Sequence, residues 1–209
     1  MELQELLKWR YATKAMNGQK VDKEKVERIL EAIRFAPSSN GVQPYELIVV
    51  TNPELRAKLR PVCNNQSVVT DSSHLVVFAA WENITEEHIN NVLNDVLDER
   101  GNYPGVDDFR AYLLQTYRSQ STDQNFIHAA RQAYIGLGFG LLAGANEGVD
   151  TTPMEGFDPA AVDEVLGLRE KGLKSVLMMA IGYRDVEKDW LVNMKKVRRP
   201  NASFITELY

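Results

Sequence analysis

The chain has 209 residues, 44% hydrophobic and 25% charged, with a formal net charge of −5. These are ordinary proportions for a globular domain, and the length suits a single domain over residues 1–209 with a full core. The acidic balance argues against nucleic acid as a partner, since that needs many cations to displace counterions from phosphates.

Leu3, Leu6 and Leu7 recur at helical spacing and predict a short amphipathic helix running into Arg10 and Lys14. A stronger helix follows in VDKEKVERILEAIRFAP, with Asp22 as N-cap, a stripe of Val26, Ile29, Leu30 and Ile33, and Pro37 as its stop. ELIVVT (46–51) and HLVVFAA (74–80) are apolar and β-branched and read as buried strands, with a short helix opened by Pro53 between them. Thr85 caps a helix over TEEHINNVLNDVLDERG, and residues 101–123 form a partly helical excursion carrying Phe109, Tyr112 and Tyr117.

Residues 124–146 read as an apolar helix with glycines at 136, 138, 140 and 144. Each glycine costs about 1 kcal/mol in an exposed helix. They make sense if another helix packs very close, in a buried subunit interface or equally in a tight contact within this chain. Asp158 and Pro159 open a further helix, SVLMMAIGY (175–183) is a buried strand, and the tail SFITELY alternates like an edge or exchanged strand. Helices and strands are mixed and only partly in βαβ order, so the fold class is α+β.

Cys63 stands alone, so no intrachain disulfide forms, which fits a cytoplasmic location. No apolar run approaches the roughly 20 residues of a membrane span, so no membrane is expected as a partner. MELQELLKWRYATK is charged throughout and carries no signal-peptide core. The histidines 74, 88 and 128 do not pair at ligand spacing, so no metal site is expected. No GxGxxG follows a strand, and no GxSxG elbow accompanies His74 and Asp71.

Four distant segments carry the chemistry: WRYATK (9–14), APSSNGVQPY (36–45), TPMEGF (152–157) and KKVRRP (195–200). The outer two supply cations; Arg10, Lys196 and Arg198 suffice to grip a phosphate monoester. The inner two supply small residues and amides suited to a flat polar ring. Gly156 permits close backbone approach, and Glu155 is either an acid–base group or a structural carboxylate.

These motifs, in order and spacing across nearly the whole chain, resemble the nitroreductase family of FMN-dependent NAD(P)H oxidoreductases. The resemblance implies a mixed central sheet flanked by helices. It also implies an intertwined homodimer with an exchanged C-terminal strand and FMN at the interface. By the same resemblance Arg10, Tyr11, Ala12 and Lys14 contact the flavin, Arg10 near the phosphate and Lys14 near the N1 edge. Pro37, Ser38, Ser39 and Gly41, with Gln43 and Pro44, lie against the ring from the partner. Asn65 bonds the ring. Pro153, Met154, Glu155 and Gly156 cover one face with the Glu155 amide at N5, and Lys196 and Arg198 hold the phosphate. Asn40, Phe109, Tyr112 and Trp190 line the substrate pocket. Asn40 and Gly41 replace the Thr-Asn of the enterobacterial branch, Tyr11 and Ala12 replace His-Ser, and Val68 stands where that branch has a second lysine.

The implied chemistry moves hydride from NADH or NADPH to flavin N5 and on to a small planar acceptor such as a nitroaromatic or quinone, by a ping-pong cycle. No side chain need be a nucleophile or base. An ammonium about 4 Å from reduced flavin contributes on the order of 4 kcal/mol at an effective dielectric of ~20. Three other readings remain open: a reductive dehalogenase of the same family, a non-catalytic FMN store or sensor, and an interaction module with a basic tail.

Overall fold

The computed structural model describes residues 2–209. The chain opens with α1 (Leu3–Trp9) and α2 (Lys23–Arg34), followed by β1 (Tyr45–Val50), α3 (Pro53–Val62) and α4 (Val68–Asp71). Next come β2 (His74–Trp81), α5 (Glu86–Arg100), α6 (Val106–Arg118) and α7 (Thr122–Asn146). β3 (Asp150–Met154), α8 (Pro159–Leu166), β4 (Leu173–Gly182) and α9 (Asn201–Phe204) complete it.

The sheet order is β1-β2-β4-β3. Alternation along β2 gives each face of the sheet its own core. Val76 and Phe78 meet Ile29, Ile33, Ala133 and Leu137 of α2 and α7. Leu75 and Val77 meet Leu59 of α3, Val162 of α8 and Met178 of β4. The result is three layers, with helices on both faces. All three pairings are antiparallel. The mixed sheet implied by the resemblance is therefore not made by one chain's own strands. After the single turn of α9 the tail pairs with no strand of its own chain, and Ile205, Leu208 and Tyr209 are exposed.

Local signals explain most boundaries. Ser121 opens α7 with a capping box to Gln124, and Thr85 opens α5 with one to His88. Asp158 accepts from the amides of Ala160 and Ala161. Asp22 departs from expectation, because its side chain makes no cap bond and only its carbonyl serves α2. The excursion folds as α6 against α5 over a small core of its own that includes Val42, Leu93 and Leu113. Tyr117 belongs to that core and is only 3% exposed. Val68 and Cys63 are likewise core residues, and burial pushes the Cys63 thiol up to about 11.

The α7 glycines divide by face. A Cβ at Gly140 would stand 2.9 Å from Ile33, and one at Gly136 would collide with the Tyr45 hydroxyl. One at Gly144 would collide with the Thr151 methyl and stand 3.3 Å from the Val149 carbonyl oxygen. Close packing within the chain thus accounts for three glycines, while Gly138 has nothing within 4 Å. Gly144→Ala is expected to destabilise the fold. Overpacking costs about 1–3 kcal/mol, and alanine's helix preference returns about 1. The signature is a lower urea midpoint at unchanged slope; an unchanged midpoint would mean that Thr151 yields.

Candidate flavin-phosphate cleft

Beside the end of α1 lies a cleft of about 580 Å³, lined by Trp9, Arg10, Tyr11, Pro153, Lys196 and Arg198 among others. Ala12, Lys8, Lys195 and Arg184 also reach it. Three of the four sequence segments therefore converge within one chain.

The convergence rests on a buried carboxylate that sequence reasoning missed. Asp189, 2% exposed, accepts from the Tyr11 hydroxyl at 2.7 Å, the Thr13 hydroxyl at 2.5 Å and the Leu191 amide at 3.0 Å. Thr152 in turn donates to the Thr13 carbonyl at 3.0 Å, which ties residues 11–13 to β3. Burial opposes ionisation of Asp189, but the bonds from Thr13, Tyr11 and nearby amides outweigh it and hold the carboxyl below its usual range. Burial, then the bond to Asp189, pushes the Tyr11 phenol up to about 12.

A raised phenol favours the protonated form in the fold. Its stabilisation is complete below the unfolded value near 10 and is lost as pH rises toward about 12. The difference in urea midpoint between wild type and Tyr11→Phe is expected to shrink across that window. A difference that stays constant from pH 9 to 12 would contradict this account.

Arg184 is the second missed residue. It follows β4 and donates to Asp150 from Nε at 3.0 Å and Nη2 at 2.6 Å. Its guanidinium lies 4.6 Å from the Trp9 ring centroid and 4.5 Å from that of Tyr11. No sequence spacing links 150 with 184; the register that places Asp150 opposite Gly182 does so.

The cations at the cleft mouth have no such partner. Among the described residues Arg10, Lys196 and Arg198 make no ion pair. Burial, then Arg198, presses the Arg10 guanidinium below its ordinary value, with Asp150 opposing. Arg10 Nε is buried without a hydrogen-bond partner. Lys196 Nζ donates to the carbonyls of Leu7, at 2.6 Å, and Arg10, and so also caps the end of α1. Burial, then Arg10 and Arg198, lowers its pKa. Three converging cations and an orphaned buried donor fit a dianion, and a phosphate monoester has that charge.

The other predicted residues lie outside the cleft. Lys14 is exposed. Met154 turns its side chain into the core. Asn65 sits at φ 53, and the neighbouring Gln66 donates to the Gly156 carbonyl at 2.9 Å. Glu155 accepts from the Tyr134 hydroxyl at 2.5 Å. Pro37, Ser38, Ser39 and Gly41 form a separate loop, pinned where the Ser39 amide donates to Gln132 of α7 at 2.9 Å. Asn40, at φ 56, shares a surface groove with Gly41 and Phe109. Tyr112 is 54% exposed and Trp190 65%, and Trp190 is absent from the cleft wall. Among the described residues no group of three or more His, Cys, Asp or Glu could hold a metal ion.

Residues 7–183 match the family model described as "Nitroreductase family". The chain belongs to the nitroreductase family. It is 31% identical to the oxygen-insensitive NAD(P)H nitroreductase of Enterobacter cloacae, with 95% of each chain covered. It is 30% identical to that of Salmonella typhimurium, over 95% of this chain and 96% of the relative. The nitroreductase fold is equally plain. A nitroreductase family protein from Streptococcus pneumoniae superposes with a TM-score of 0.82 over 100% of both chains at 23% identity. A chain from Exiguobacterium sibiricum, solved in complex with FMN, superposes with a TM-score of 0.83 over 100% of this chain and 98% of its own at 22% identity.

Proposed function

We propose that this nitroreductase-family chain is an FMN-dependent oxidoreductase that draws electrons from NADH or NADPH. Its acceptors are flat, electron-poor molecules such as nitroaromatics and quinones. The observation that carries this reading is the cleft where Arg10, Lys196 and Arg198 converge without a carboxylate and Arg10 Nε is left unpaired. When bound, FMN supplies the ring that accepts hydride and passes on two electrons.

The chain's residues have supporting tasks. Arg10, Lys196 and Arg198 hold the phosphate, and Tyr11, Ala12 and Pro153 wall the channel. Gly156 lets backbone approach the ring, with Asn65 on the neighbouring loop. Lys14 places an ammonium near the ring edge that gains negative charge. Donor and acceptor use one open face in turn, which gives ping-pong kinetics.

The assembly we propose is a homodimer in the cytoplasm. Ser38, Ser39 and Asn40 then complete the site of a second copy, which is why they stand apart from the cleft of their own chain. An apolar surface supports the dimer: Ile127, Ile135 and Phe139 on α7 are exposed, as are Ile205 and Leu208 in the tail. The tail, unpaired here, is the strand to be exchanged. No helix among the described residues is long and apolar enough to cross a membrane.

The test is the absorption spectrum of the purified protein followed by anaerobic NADH or NADPH. A yellow protein bleached by either donor is expected. A colourless protein would reject the reading, and bound flavin that neither donor reduces would point to a store or sensor. Sedimentation of a stable flavin-bound monomer would reject the shared site.

A further inference from the structure

Pro153 and Met154 end β3, held by pairing with Met179 and Met178 of β4 and by the Met154 side chain in the core. Glu155 and Gly156 run on past the strand end and are exposed, beside a surface pocket of about 300 Å³ that Pro153, Met154 and Glu155 share with Leu137 and Leu177. Two side-chain tethers hold these two residues: the Gln66 Nε2 bond to the Gly156 carbonyl and the Tyr134 hydroxyl bond to Glu155 Oε1. Only the second reaches a charged group. A phenol donating to a carboxylate draws off part of its charge and holds it in place, and such charge-assisted bonds are the strong ones.

Tyr134 comes from α7, one helical turn before Gly138 and Leu137, on a helix anchored to the sheet by its close-packed glycines. The phenol is thus presented from a rigid element to the residues just past the end of β3. Its pKa, pushed to about 12 by burial and then by Glu155, agrees with a proton retained on the tyrosine. No cation pairs with Glu155 among the described residues, so the tyrosine is its one strong partner there.

We propose that Tyr134 is a positioning residue for the flavin site: it fixes Glu155 and Gly156 at the end of β3 and offsets that carboxylate's charge beside the flavin. This rests on the FMN reading above. With the phenol gone, the carboxylate is freer and no donor offsets its charge, so it disfavours the negative charge that reduction adds to the ring.

The experiment is a spectroelectrochemical titration of the flavin-loaded dimer for wild type, Tyr134→Phe, Glu155→Gln and the double variant. Tyr134→Phe is expected to make reduction about tenfold less favourable, a midpoint about 30 mV lower for a two-electron couple. Glu155→Gln is expected to move the midpoint the other way, and adding Tyr134→Phe to it to change nothing further. An unchanged midpoint in Tyr134→Phe, with or without weaker flavin binding, would overturn the proposal and leave Tyr134 a structural tether. Additive shifts in the double variant would also overturn it, since the effect would not pass through Glu155. Wild type that holds no flavin would instead overturn the FMN reading.

Discussion

Arg184→Met is expected to cost about 3–5 kcal/mol of stability, the usual consequence of stranding a buried charge. Asp150, whose side chain is 5% exposed, loses both guanidinium bonds. The Arg184 backbone amide still donates to it at 2.9 Å, and Arg10 is near enough to attract it. Those residual interactions place the expected loss toward the lower end of the range. The stack of guanidinium between Trp9 and Tyr11 also goes, which loosens the wall of the cleft. Urea unfolding reads the loss. The double variant Arg184→Met/Asp150→Asn should lose less than the sum of the singles, because the charge to be stranded is absent. Strict additivity, or a loss below about 1 kcal/mol for Arg184→Met, would show that the pair does not organise this region.

The sequence made the layers of this fold legible and its joints much less so. The stripe Val26–Ile29–Ile33, the apolar runs of β2 and β4 and the apolar helix over 124–146 each follow from local pattern, and each appears where expected. Four residues are too few to show a helical period, so α4 is not legible in the sequence. The alternation of the tail suits an edge or exchanged strand, and a strand needs a neighbour, which its own chain does not offer. At the site, the cations were legible because charge clusters stand out in sequence. Asp189, Asp150, Arg184, Gln132 and Tyr134 were not, because their significance lies in contacts between residues far apart in the chain. Gln132 and Tyr134 look like ordinary members of an apolar helix until α7 places one on Ser39 and the other on Glu155. Ser38 and Ser39 were legible as a motif, yet their distance from the cleft is a property of the fold.

Arg10→Met is expected to weaken FMN about 10- to 150-fold while changing riboflavin affinity by less than about 3-fold. A lost charge-assisted bond is worth about 1.5–3 kcal/mol, and only the phosphate would feel it. Arg10 is the best choice among the three cations. Arg198 is exposed and its pairing is screened by water, and Lys196 also caps α1, so removing it would disturb the helix end. Arg10 is half-buried, carries the orphaned Nε and faces the charge of Arg198. Because burial and that repulsion press its guanidinium below the ordinary value, the charged form is a burden on the empty fold. The same substitution should therefore leave the flavin-free protein as stable as wild type or more so. This opposite movement of stability and affinity marks a group placed for a ligand. Fluorescence titration of apoprotein with FMN and riboflavin, beside urea unfolding of the apoprotein, measures both. Equal weakening of the two ligands would remove Arg10 from the phosphate site, and a destabilised apoprotein would make it a structural cation.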